Sequence, residues 1–196
     1  MAITINGSGT ITGISAGGLP DGVITSDDLA SGAITAAGLP AGSILQVVQT
    51  VKTDTTSAQT SSYAVFCLKK KNITPSSTNS KVLVMVSAEV SCNYYFHIRL
   101  LRGTTPICVG DANSNRTQVT MGAFPGDTSW GSFYWGSIPQ NMNFLDSPAT
   151  TSATTYKLQW KYNGGTNLFL NRTYEFVDQA SQSAGASTII LMEVAG

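Results

Sequence analysis

The densest group of chemistry-bearing side chains is Trp130-Gly131-Ser132-Phe133-Tyr134-Trp135. Aromatic faces stack on the apolar faces of sugar rings, and Trp and Tyr add hydrogen-bonding atoms at the ring edge. In an extended strand Trp130 and Tyr134 share one side, and Phe133 and Trp135 the other. Two readings fit. One side faces a core and the other a subunit interface, or one side stacks on a surface glycan. Under the second reading Trp130, Tyr134 and Trp135 are the contact residues.

Catalytic groups are harder to assemble. His97 is the single histidine and lies on the polar side of a strand between Phe96 and Ile98. A catalytic triad needs a histidine beside an activated Ser or Cys and an orienting acid. No Gly-x-Ser-x-Gly elbow marks such a nucleophile, so a surface or interface histidine is expected. Glycoside hydrolysis needs two carboxylates facing one bond. Asp127, Asp146, Glu175 and Asp178 are available, but no spacing selects a pair. Asp111-Ala112-Asn113-Ser114-Asn115 imitates the opening of a calcium loop, yet Arg116 stands where the pattern wants Gly and Gly122 where it wants Glu. An Asx-rich turn is expected there. Cys67, Cys92 and Cys108 form no Cys-x-x-Cys pair and sit in or beside apolar runs. Buried, inert thiols in a reducing compartment are expected. The expectation is no metal, no cofactor and no enzyme.

Composition narrows the partners. Charged residues are 11% of the 196, with a formal net charge of zero; soluble domains average about 25%. Ser, Thr, Asn and Gln must cover the surface, as is common where chains pack on one another or meet sugars. The one basic cluster, Lys69-Lys70-Lys71, reads as a solvated strand end, and nucleic acid is not expected without clustered cations. No apolar run reaches the length of a membrane span, so no membrane insertion is expected. Met1-Ala2-Ile3-Thr4 has neither a basic start nor an apolar core, so synthesis in a cytoplasm without a signal peptide is expected.

The elements that must position these groups fall into two regions. Residues 1–43 repeat a short unit: Gly22-Val23-Ile24-Thr25, Gly32-Ala33-Ile34-Thr35 and Gly42-Ser43-Ile44-Leu45, ten residues apart, with an earlier copy at Gly9-Thr10-Ile11-Thr12. Ile and Thr favour short β segments, and Leu19-Pro20-Asp21-Gly22 has turn chemistry. The region holds six isoleucines, three leucines, one valine and no aromatic residue. Burying so few side chains returns less than ordering the backbone costs. A slender stalk that borrows its core from identical neighbours or from a host structure is expected.

Residues 44–196 read as an all-β head. Val82, Val84, Val86, Ala88 and Val90 form the cleanest buried face, and Leu83 and Met85 make that strand apolar on both sides. Phe96, Ile98 and Leu100 alternate with His97 and Arg99, and Tyr156, Leu158, Trp160 and Tyr162 alternate with Lys157, Gln159 and Lys161. Asn163-Gly164-Gly165-Thr166 has hairpin chemistry, which predicts that Leu168 and Leu170 return beside the preceding strand. Thr188–Val194 is the last strand. Short strands with turn signals between them predict an antiparallel β-sandwich of jelly-roll type.

Two stretches resemble small virion fibre proteins of tailed bacteriophages, especially those infecting cyanobacteria. One runs from Ile11-Thr12-Gly13-Ile14 through Gly17-Gly18-Leu19-Pro20-Asp21-Gly22 to Ile44-Leu45-Gln46-Val47-Val48-Gln49. The other is Leu145-Asp146-Ser147-Pro148 through Tyr156-Lys157-Leu158-Gln159, continued in Gly164-Gly165-Thr166, Asn171-Arg172 and Ser187–Val194. Leu101-Arg102-Gly103-Thr104-Thr105-Pro106-Ile107 looks familial too. The resemblance implies a homotrimer whose residues 1–43 dock to other virion proteins and whose β-sandwich head, residues 44–196, faces outward. It transfers no catalytic residue. A trimeric tail fibre that attaches to a host surface glycan by avidity is the leading expectation. A capsid decoration or head fibre without a receptor role is the alternative, and a polysaccharide-degrading enzyme the third.

Overall fold

The structure, a computed structural model, describes residues 24–25, 27, 29, 31, 34–35, 38–65, 70–123, 136–163, 167–175 and 177–196. The chain divides into two compact units, Met1–Leu39 and Pro40–Gly196. In the first unit Ile24, Leu29, Ile34 and Leu39 are exposed. The second unit holds all twelve described strands, and no α-helix occurs among the described residues.

The strand β5 (Lys81–Cys92) organises the first sheet. Its alternating row Val82, Val84, Val86, Ala88 and Val90 is buried, as expected for β-branched side chains on a covered face. Along one edge it pairs first with β12 (Ser187–Val194) and, where β12 ends, with β11 (Leu168–Leu170). Along its other edge it pairs with β9 (Ile138–Asp146) over Val82–Val90. Strand β1 (Ile44–Lys52) flanks β12 and β2 (Thr56–Ala58) flanks β11. A bulge between Ile44 and Gln46 interrupts the β1 register at Leu45.

The second sheet centres on β10 (Thr154–Asn163) and β6 (Tyr95–Arg102), paired from Tyr156–Arg102 to Asn163–Tyr95. Beyond β10 lie β3 (Ala64–Val65) and β4 (Lys71–Ile73); beyond β6 lie β7 (Thr105–Ile107) and β8 (Met121–Ala123). A two-residue turn joins β6 to β7, with Gly103 at φ 60 where a side chain would be strained. All pairings among the described strands are antiparallel. Counting β3 with β4 and β7 with β8 as single interrupted strands, and setting aside the short β2 and β11 that extend one edge of β5, gives eight main strands, ordered 1-8-3-6 in one sheet and 2-7-4-5 in the other. That is the winding of a jelly roll.

The predicted hairpin does not form. Residues 164–166 lie outside the described residues, but β10 and β11 belong to different sheets. Leu168 and Leu170 are fully buried because β11 extends the edge of β5, where Val90 and Cys92 face the same core. Turn chemistry does not fix the destination of the next strand, which non-local pairing sets.

One apolar core lies between the sheets. Val82, Val84, Val86, Ile189 and Leu191 come from the first, and Phe96, Ile98, Leu100, Tyr156, Leu158 and Trp160 from the second. Polar ties cross and close it. The Arg102 guanidinium donates to Asp146 Oδ1 and Oδ2 at 2.9 and 3.0 Å, and Tyr156 Oη donates to Asp146 Oδ2 at 2.5 Å. Asp146 belongs to the first sheet and its partners to the second, so the triad pins one sheet to the other. Burial first, then the Asp146 hydrogen bond, pushes the Tyr156 hydroxyl far above its ordinary range. Glu193 is buried and accepts from Gln46 Nε2 at 2.5 Å and from the Ser76 amide and hydroxyl at 2.6 and 2.7 Å. Burial alone would raise its carboxyl; those donors outweigh burial and hold it below the ordinary value. Asn171, buried at φ 61, donates to the Lys52 and Asp54 carbonyls and accepts from Ser187 Oγ, which stitches β1 to the start of β12.

Candidate assembly surface

The outward face of the first sheet departs from the usual polar exterior of an antiparallel sheet. Register places its side chains in rows. Val47, Met192, Leu83 and Leu145 stand side by side across β1, β12, β5 and β9. The next row is Gln49, Ile190, Met85 and Asn143, and the third is Val51, Thr188, Ser87 and Asn141. At the opposite end Ile44 and Val194 stand beside Lys81. Ile44, Val47, Val51 and Leu145 keep 57, 54, 50 and 47% of their surface exposed. Leu83, Met85, Ile190 and Met192 are half-buried among them.

The three rows contain no charged residue; Lys81 lies at one margin, and Glu89, which accepts from Ser137 Oγ at 2.8 Å, at the other. Between the rows a shallow depression of about 300 Å³ is lined by Met85, Ser87, Asn141, Asn143, Thr188 and Ile190. A contiguous apolar patch rimmed by amides and hydroxyls is the signature of an interaction surface. Part of the signal is legible in sequence: Ile189-Ile190-Leu191-Met192 and Leu83/Met85 show strands apolar on both sides. Val47 and Leu145 join them only through register.

The residues singled out for chemistry scatter. Trp130, Tyr134, Trp135 and Asp127 lie outside the described residues, as does Cys67. Cys92 is buried, but Cys108 is exposed, contrary to expectation: it follows β7 in a bend at φ 52, where the chain leaves the sheet. Burial raises the Cys92 thiol above its ordinary value, and the partial desolvation left at the exposed Cys108 moves its thiol in the same direction, so both stay protonated and weakly nucleophilic. Asp111–Asn115 is an exposed turn in which Arg116 Nη1 donates to Asn113 Oδ1 at 2.7 Å, so the guanidinium occupies an oxygen a calcium ion would need. Among the described residues no three His, Cys, Asp or Glu side chains gather as a metal site. Of the four acids considered for glycoside cleavage, Asp146 is committed to Arg102 and Tyr156, and Glu175 and Asp178 sit in the segment before β12.

His97 lies on the outward face of the second sheet, opposite Lys161 and Gly122. It is half-buried, and Nδ1 has no hydrogen-bond partner. Burial and then the neighbouring Lys161 charge hold the imidazole below its ordinary pKa, so it is neutral at pH 7. No protein-family model and no curated protein matches the chain.

Proposed function

We propose that this chain is a structural virion fibre protein of a tailed bacteriophage, a homotrimeric tail fibre whose head meets the host surface. The observation that carries the reading is the uncharged apolar face of the first sheet. A folded head that leaves Val47, Leu83, Met192 and Leu145 in one open row is built to be covered, and three such faces turned toward a common axis would close a ring. The exposed Ile24, Leu29, Ile34 and Leu39 of the first unit support the second half of the proposal. Residues 1–43 act as a repetitive stalk that acquires its core from sister chains or from a neighbouring virion protein. The resemblance of the Gly-x-Ile-Thr repeats and of the run after Leu145 to phage fibres supplies the biological setting.

Light scattering on the full chain tests assembly directly. A particle of three times the 20.6 kDa chain mass is expected; a well-folded monomer at micromolar concentration would end the proposal. Immunogold labelling of virions with antibody to residues 44–196 tests placement. Gold at the tail supports attachment, whereas gold spread over the capsid would replace the tail fibre with a decoration protein.

A further inference from the structure

The opposite side of the sandwich has the opposite character. On the outward face of the second sheet, Lys157, Gln159 and Lys161 of β10 lie beside Leu101, Arg99 and His97 of β6. Val65 flanks Gln159 and Asn72 flanks Thr155. Among the described residues, none of the outward positions in these strands is acidic. The two ion pairs of the described residues, Lys52–Asp54 and Arg102–Asp146, leave Arg99, Lys157 and Lys161 without a carboxylate. All three cations are half-buried. An unpaired, partly desolvated cation is unfavourable unless something anionic completes it.

The cations are also held in place. The Arg99 guanidinium lies 3.8 Å from the centre of the Tyr63 ring and donates from Nε to Gln159 Oε1 at 2.8 Å. Lys161 Nζ lies 5.0 Å from the same ring. The Tyr63 hydroxyl has no hydrogen-bond partner, so what Tyr63 supplies here is its ring, a platform that fixes two cations side by side. Stacking uses one face of the guanidinium and the Gln159 bond uses Nε, so the terminal nitrogens of Arg99 remain for a bidentate anion. Lys157 and Lys161 stand about 13 Å apart along β10, with Arg99 between them on the next strand.

We propose that this face binds an anionic oligosaccharide, with an acid group of the sugar on Arg99, flanking acid groups on Lys161 and Lys157, and hydroxyls on Gln159, Thr155 and Asn72. Amides and hydroxyls around three cations suit a ring-shaped polar ligand. The cations stand on β6 and β10, the two central strands, away from the sheet edge that an added peptide strand would need. Three cations in a chain of zero net charge fall short of the basic stripe nucleic acid requires. The inference takes the source of its ligand, the host surface, from the proposed function; the site itself stands on the geometry above.

Titration calorimetry of the full chain at low salt decides it, with trigalacturonate and a sulfated disaccharide as carboxylate and sulfate probes, maltotriose as the neutral control and a short DNA duplex as competitor. Binding of at least one acidic sugar, weakening as salt rises, is expected, with none for maltotriose. Arg99→Gln should weaken it about tenfold or more. Lys157→Gln together with Lys161→Gln should do the same, and this pair carries the test should loss of the Tyr63 stack unfold the Arg99 variant. Lys81→Gln, on the other sheet, should change nothing. Equal affinity for maltotriose, tighter binding of DNA, no binding of either acidic sugar, or indifference to the variants would overturn the inference. A trimer that binds no acidic sugar sinks this site alone; a monomer that binds one sinks the assembly reading alone.

Discussion

Leu83→Glu is the sharpest perturbation of the assembly face. Leu83 sits mid-row between Met192 and Leu145, and it points away from the core, so the sandwich itself tolerates the change. Four strands at about 4.8 Å and seven residues at about 3.3 Å give a face of about 450 Å². That is near half of the roughly 800 Å² each partner contributes to a standard interface, so these rows are the apolar centre and the surrounding loops must supply the rim. Losing a buried leucine there removes about 1.5–3 kcal/mol, and an unpaired carboxylate in the centre adds several more. The sum is at least about 4 kcal/mol, close to a thousandfold in association. Sedimentation at micromolar concentration should therefore show a folded monomer with unchanged far-ultraviolet circular dichroism. Val47→Glu, at a more exposed position on the flanking strand, should act in the same direction with a smaller penalty. Should both variants remain assembled with unaltered dissociation, the first sheet is not the interface and the proposal loses its main support.

Two further perturbations concern stability. Asp146→Asn removes the carboxylate between Arg102 and Tyr156, and because the Arg102 side chain is 32% exposed the cost falls at the low end of the range for a broken buried pair, about 3 kcal/mol; calorimetry should show the melting temperature fall by roughly 6–12 °C, and an unchanged melt would mean the inter-sheet tie is idle. Acidification should destabilise in two stages. His97 is held below its ordinary pKa by burial and then by Lys161, so the unfolded chain takes the proton first and stability falls as pH drops below about 6.5. Glu193 is held below its ordinary value by its donors despite burial, so its contribution, complete above about 4.3, is lost at still lower pH. Denaturant midpoints across pH should lose the upper stage in His97→Asn and keep the lower one; a variant with the wild-type profile would refute the assignment.

The buried faces of β5, β6 and β10 are legible because each carries an apolar alternation, and β12 because Ile189-Ile190-Leu191-Met192 is apolar on both sides even though Ser187 and Glu193 are buried at its ends. Strand β9 is not: its buried residues include the polar Gln140 and Asp146, and Asp146 is satisfied by Arg102 and Tyr156 of the other sheet, so the period-2 signal fails where the pairing is longest. The short strands β2, β4, β7 and β8 have three residues each, too few to display a period. The fate of β11 is a different failure. Gly164-Gly165 announces a change of direction, but a turn says nothing about which sheet receives the next strand, and the unpaired edge of β5 beyond β12 decides that. The Arg102–Asp146 tie spans 44 positions and Gln46–Glu193 spans 147, so no local pattern could reveal either. Cys108 looks buried in sequence because Ile107 and Val109 flank it, yet β7 ends at Ile107 and leaves the thiol exposed.

The assembly face and the cationic face constrain each other. Both belong to one sandwich, and a sheet has only one side for the core, so the two outward faces point in opposite directions. If the apolar rows of the first sheet turn toward a common axis, Arg99, Lys157 and Lys161 must turn toward solvent, whatever the details of the ring. The reverse arrangement would bury three cations that have no carboxylate partner among the described residues against identical copies of themselves, where like charges repel, and would leave Val47, Leu83, Met192 and Leu145 in water. Only one orientation avoids both penalties. It also sets the valency: a ring of three would carry the cationic site outward three times, so an affinity too weak to matter in one head becomes useful when a ligand-bearing surface presents many copies. Monomeric Leu83→Glu should thus keep its affinity for a soluble acidic trisaccharide and lose retention on a surface densely coated with the same sugar. Loss of both together would mean that the site is built between subunits, and retention of both would mean that avidity plays no part.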